Sequence, residues 1–282
     1  MTGPAATAPA PRPSFTAGAR AIYRLALPMA LWSRRTLLMS LLGLFLPLAA
    51  GLFLTVKAIP AAELRIPGYI FYSNGFQFIH YYVMLVALFY GTAVVAEEID
   101  WKTLTYLFTR PVPKAAILAG KGAAAWTLGA LILAPALILT YTLFTFADGL
   151  LYVGNTSDFR VNLPILFQDL ALTLGALAVY TVVFTFVGAR FNRPVLWGIG
   201  LAFGWESWVA FVPGLTRKLT VMHYVQSLSP HASGRNIAVA ILGQRTPPGQ
   251  SILALIIILG LFTALAVWTF SRREYNFDLS KR

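Results

Sequence analysis

Gly122-Ala-Ala-Ala-Trp126-Thr-Leu-Gly-Ala-Leu-Ile-Leu-Ala-Pro135-Ala-Leu-Ile-Leu-Thr-Tyr-Thr-Leu-Phe-Thr-Phe146 runs for 25 residues without one charged side chain. As a helix rising 1.5 Å per residue it would be about 38 Å long, more than the roughly 30 Å of hydrocarbon in a bilayer. It reads as a membrane span. Five further stretches have the same character: Thr36 to Val56, Gly75 to Ala96, Ile165 to Gly188, Val195 to Pro213 and Ser251 to Phe270. Within all six the only acidic residues are Asp169 and Glu206, and there is no Lys or Arg. Barrel strands would alternate polar and apolar residues over about ten positions. The expected fold is therefore all-α, a polytopic membrane protein with six transmembrane helices.

Composition agrees. Of the 282 residues 58% are hydrophobic and 11% charged, with a mean hydropathy of +0.70, whereas soluble domains are about a quarter charged. The absence of cysteine removes disulfides, thiol nucleophiles and thiolate metal sites. A net charge of +12 would point to nucleic acid in a soluble protein. In a membrane protein it reflects basic cytoplasmic loops instead. With six spans both termini share a side, and fifteen of the 22 Lys and Arg fall there, against seven opposite. That bias places both termini in the cytoplasm of a cell inner (plasma) membrane protein, and no nucleic-acid partner is needed.

Residues 1–19 read as a disordered Ala/Pro-rich cytoplasmic tail rather than a cleaved signal peptide, and residues 20–282 as one six-span domain. Between tail and first span, Ile22, Leu25, Met29 and Trp32 recur at helical spacing, with Arg20, Arg24, Arg34 and Arg35 between or after them. This predicts an amphipathic helix over 20–35 lying in the membrane interface. Pro28 leaves open that the stretch extends the first span. On the far side, Leu215 to Leu228 carries a helix-like pattern ended by Ser229-Pro230.

The connection after the second span is Glu97-Glu98-Ile-Asp100-Trp101-Lys-Thr103-Leu104-Thr-Tyr-Leu107-Phe108-Thr-Arg110-Pro111-Val-Pro113-Lys114. Asp100 suits an N-cap. Trp101, Leu104, Leu107 and Phe108 would then share one face of a short helix that Pro111 and Pro113 end. A helix this short, with an aromatic and aliphatic face, needs a covering surface: either a partner protein or the lipid headgroups.

Glu97, Glu98, Thr103, Leu104, Leu107, Arg110 and Pro111, followed by Ile117, Leu118, Gly120 and Lys121 at the start of the third span, resemble the permease of type-2 ATP-binding-cassette (ABC) exporters. Leu228-Ser229-Pro230 and the Phe-Ser-Arg-Arg-Glu-Tyr of 270–275 extend the resemblance along the chain, whereas Asp100-Trp101-Lys102 departs from the small residue more usual before Thr-Leu. The resemblance implies a homodimer or heterodimer of permeases in which the segment after the second span is a coupling helix seated in a separate ABC ATPase subunit. Glu97, Glu98, Asp100, Trp101, Thr103, Leu104, Leu107, Phe108, Arg110 and Pro111 would be the partner-binding residues. ATP and Mg would be bound by that ATPase and this chain would hold no cofactor and no catalytic residue; independently, the sequence lacks a Gly-x-x-x-x-Gly-Lys-Ser/Thr phosphate loop.

Glu206 lies in a predicted span, where an ionised carboxylate costs up to roughly 2.5 to 3.5 kcal/mol on insertion scales. It belongs either to a translocation path or to the outer interface, with Arg217 or Lys218 as partner. Asp169 is expected at an interface and His80 in an aromatic belt. His223 and His231 have no spacing that supplies a zinc site, and Pro47 and Pro135 are expected to kink their spans. An ion-coupled secondary transporter, or a polytopic lipid-modifying enzyme, are the competing functional classes.

Overall fold

The computed structural model describes residues 14–57, 68–100, 112–151, 159–209, 215–230 and 245–272. Among them every regular element is helical: α1 (Phe15–Leu31), α2 (Arg34–Lys57), α3 (Gly68–Asp100), α4 (Lys114–Leu151), α5 (Phe159–Arg190), α6 (Pro194–Ile199), α7 (Val221–Leu228) and α8 (Pro248–Arg272). A π-helical stretch, Gly200–Glu206, continues α6 into Ser207–Val209, and a 3₁₀ turn, Leu215–Leu219, leads to α7.

Four of these helices are long and apolar enough to cross a membrane, over Ile79–Glu98, Lys114–Leu143, Leu163–Arg190 and Pro248–Arg272, and α1 with α2 makes a fifth if the bent pair is one span. These correspond to the second, third, fourth and sixth predicted spans. α3 and α4 extend well past the predicted limits, because an amide ladder does not stop where the apolar run ends. The predicted first span lies in α2, and the predicted fifth is divided among α6, the π stretch and Ser207–Val209.

The α1–α2 corner shows how polar side chains set the path. Ser14 caps α1 by accepting from the Ala17 amide (3.3 Å), and Ser33 caps α2 by accepting from the Thr36 amide (3.2 Å). Thr36 in turn donates to the Ala30 carbonyl (2.6 Å) and receives the Tyr90 hydroxyl (2.8 Å). The two helices meet at 67°, so the basic stretch does not run straight into the first span, and Pro28 is accommodated inside α1. Helix formation starts at Phe15 rather than at Arg20, because Ser14 supplies the cap.

Without a solvent-driven hydrophobic effect, helices in lipid associate where small residues let backbones approach. That happens twice. A Cβ on Gly188 would lie 2.6 Å from the Thr92 carbonyl oxygen, and one on Gly91 would lie 2.7 Å from that of Thr181, so α3 and α5 touch backbone to backbone. At the other contact a Cβ on Gly120 would lie 2.5 Å from the Ala19 carbonyl oxygen, and one on Gly18 would meet Val112 at 2.9 Å, which lays α1 across the start of α4. Around the first contact Met84, Leu88, Leu128, Leu133, Leu177, Tyr180 and Phe184 form the buried centre.

One end of the bundle gathers the N-terminal end of α2, the C-terminal end of α3 and the start of α4. Arg35 bonds Glu97, Lys121 bonds Glu98, and the Lys114 ammonium donates to the Ser271 carbonyl at the end of α8 (3.1 Å). The start of α2 therefore meets the end of α3, and the end of α8 meets the start of α4.

Candidate functional site

The acidic pair closing α3 is held inside the chain. Glu97 pairs with Arg35 of α2, which also reaches the Phe89 carbonyl at 3.5 Å, and Glu98 pairs with Lys121 of α4. The Lys121–Glu98 side chains are 16% and 13% exposed, so this pair is largely withdrawn from water, whereas both members of the other pair are 34% exposed. Asp100 is the last residue of α3, whose ladder runs from Gly68, and the helix that it was expected to cap lies outside the described residues. Trp101, Thr103, Leu104, Leu107, Phe108, Arg110 and Pro111 lie outside the described residues. Beyond them, Ile117 and Leu118 are buried, Gly120 admits α1 and Lys121 meets Glu98. The second half of the motif thus has local structural reasons of its own.

Glu206 has partners that sequence reasoning missed. It ends the π stretch, 5% exposed, and its carboxylate clasps the N-terminus of α7. Oε1 accepts from the Val221 amide (3.1 Å), and Oε2 accepts from the Met222 amide (3.0 Å) and the Tyr180 hydroxyl (3.1 Å). Thr220 supplies the ordinary N-cap, accepting from the His223 amide at 3.3 Å. A carboxylate among the free amides at the start of a helix is favoured by hydrogen bonding and by the helix dipole together. The expected pairing with Arg217 or Lys218 is replaced by these three donors. Two of the donors are backbone groups, which carry no residue signature. The readable signal was Thr220, three residues before His223, which breaks the predicted helix over 215–228 into a 3₁₀ turn and α7.

The C-terminal end of α7 is held too: Gln168 donates to the Leu228 carbonyl (3.1 Å). His223 is buried, with its Nε2 2.9 Å from the Thr246 hydroxyl. His231 lies outside the described residues.

One expectation is corrected nearby: His80 is buried edge-on to the Tyr180 ring at 6.2 Å rather than placed in a lipid-facing belt. Asp169 is fully buried among the helices. The sequence gives depth along a helix but not which face the neighbouring helices cover. Among the described residues no three His, Cys, Asp or Glu side chains converge as a metal site would require.

No protein-family model matches the chain, and no curated protein does. Fold and composition define the class at the level of a helical membrane protein.

Proposed function

We propose that the chain is the transmembrane permease subunit of a type-2 ABC exporter, forming the translocation path as a homodimer or heterodimer and coupled to a separate ATPase subunit at residues 101–111. The observation that carries this reading is the motif from Glu97 to Lys121, in which an acidic pair, Thr103-Leu104, Leu107, Arg110-Pro111 and Gly120-Lys121 succeed one another at the junction of two spans.

Its setting supports a lever. Glu97 and Glu98 tie the end of α3 to α2 and α4, so a push on residues 101–111 reaches three helices at once. α1 lies across the start of α4 and bends away from α2, as a helix resting in the interface would. The supply of force is the partner's; this chain turns it into alternating access by rigid-body movement.

Six crossings with both termini in the cytoplasm fit the order of contacts along α5. Gly198 lies against Phe184, Glu206 against Tyr180, and Leu228 against Gln168, so the described pieces 194–209 and 215–228 follow α5 in antiparallel order. Between Arg190 and Gln168, α5 rises about 33 Å at 1.5 Å per residue, close to the hydrocarbon thickness. The fifth crossing is then a broken one, joined at the Glu206 clasp. This also gives Glu206 a structural duty in place of the relay that an ion-coupled transporter would ask of it.

The test is co-purification. Leu104→Asp with Phe108→Asp should remove ATPase from the purified complex and abolish ATP-dependent export from vesicles. Retention of the ATPase by that variant, or export by the chain alone, overturns the assignment.

A further inference from the structure

Between α1, α3 and α4 lies a cavity of about 280 Å³ whose walls are apolar and whose mouth is ionic. Ile22, Leu25 and Met29 of α1, Val94 of α3 and Leu128 of α4 line it, and so do Arg35, Glu97, Glu98 and Lys121, which two ion pairs gather at the end of α3. We propose that this cavity holds a resident phospholipid with a zwitterionic amine headgroup, its phosphate on Arg35 and Lys121, its ammonium on Glu97, and the first part of one acyl chain between α1 and α4.

Three features favour that occupant. The lining joins what an amphiphile joins, four charged side chains gathered in two ion pairs and a mostly aliphatic wall to which Ser33 and Tyr90 add hydroxyls. Leu25 and Met29, which line the cavity, are 60% and 69% exposed, so no part of the described chain covers them and an acyl chain has room there. Charge then selects the headgroup. Two cations and two carboxylates sum to zero, so an anionic headgroup meets as much repulsion as attraction, whereas a headgroup bearing both signs satisfies both. The cations have donors to offer: a guanidinium carries five and an ammonium three, and Arg35 spends one on Glu97 and one on Phe89 while Lys121 meets Glu98. The volume holds about nine water-sized groups, enough for a headgroup and the head of one chain but not for a whole lipid.

The experiment uses the full-length protein in nanodiscs of equimolar phosphatidylethanolamine and phosphatidylglycerol, released gently and weighed by native mass spectrometry. Bound phosphatidylethanolamine should exceed phosphatidylglycerol by about tenfold, a difference of roughly 1.4 kcal/mol. Ala26→Trp, which fills the cavity from α1, should remove that excess, and Glu97→Gln should bring the two lipids to parity. If Ala26→Trp fails to fold, Glu97→Gln decides: an unchanged ratio overturns the proposal, as does equal binding by the parent protein. A photo-crosslinking residue at Met29 should label phosphatidylethanolamine; labelling of a second copy of the chain or of residues 101–111, with no lipid, assigns the cavity to protein and overturns it as well.

Discussion

Removing the Glu206 side chain should unfasten α7. Three donors converge on that carboxylate, two of them backbone amides at the first turn of a buried helix. A buried donor left without an acceptor costs about 1–3 kcal/mol, so Glu206→Ala forfeits at least about 3 kcal/mol if each loss falls at the low end of that range. Glu206→Gln keeps one acceptor oxygen but turns an NH₂ group towards an N–H, and should cost about 2 kcal/mol by the same reasoning. Tyr180→Phe removes only the hydroxyl donor to a charged acceptor and should cost about 1.5 kcal/mol. Trp205 and Trp208 flank Glu206 and are exposed, so intrinsic fluorescence reports on this stretch. The measurement is denaturant unfolding in mixed micelles, with hydrogen exchange at the Val221 and Met222 amides as the local readout. An alanine variant within about 0.5 kcal/mol of the parent, the ordinary range for a surface substitution, with both amides still protected, would refute the clasp.

Gly120→Val should lift α1 from α4, since even a Cβ would meet Ala19 backbone and the Ile22 Cβ at 2.8 Å; overpacking of this kind costs about 1–3 kcal/mol, and cysteine crosslinking between α1 and α4 should fall with it. Glu98→Gln leaves Lys121 without its largely buried partner and should cost about 3 kcal/mol, while exchanging the two residues (Glu98→Lys with Lys121→Glu) should recover most of the loss in the same unfolding assay.

Much of the fold was legible because lipid imposes a demand that composition alone reveals. Residues 75–96, 122–146, 165–188 and 251–270 all lie inside helices that meet the length and hydropathy of a span, since a charge-free run of that length has few other uses. The helix ends were less legible, because Glu97, Glu98 and Asp100 of α3 belong to a helix that continues into polar surroundings. Residues 195–213 were read as one span because their hydropathy is right; nothing in Gly200-Leu-Ala-Phe-Gly-Trp-Glu206 distinguishes a π ladder from an α ladder at the level of side-chain type. The intrachain pairs of Glu97 and Glu98 were hidden for another reason. Arg35 stands 62 residues from Glu97, and Lys121 stands 23 from Glu98, and local pattern carries no information on contacts at that separation.

The π stretch has a geometric consequence of its own. A helix closed i to i+5, as where the Ser207 amide reaches the Ala202 carbonyl, carries a surplus residue relative to its α counterpart. Expelling that surplus would shift everything downstream by one position, a rotation of roughly 100° and a translation of about 1.5 Å. Trp197, stacked on Phe191 at 4.8 Å, would stay where it is, while the Glu206 carboxylate would swing away from Val221 and Met222. A single change of winding within seven residues is thus enough to uncouple one half of this broken helix from the other.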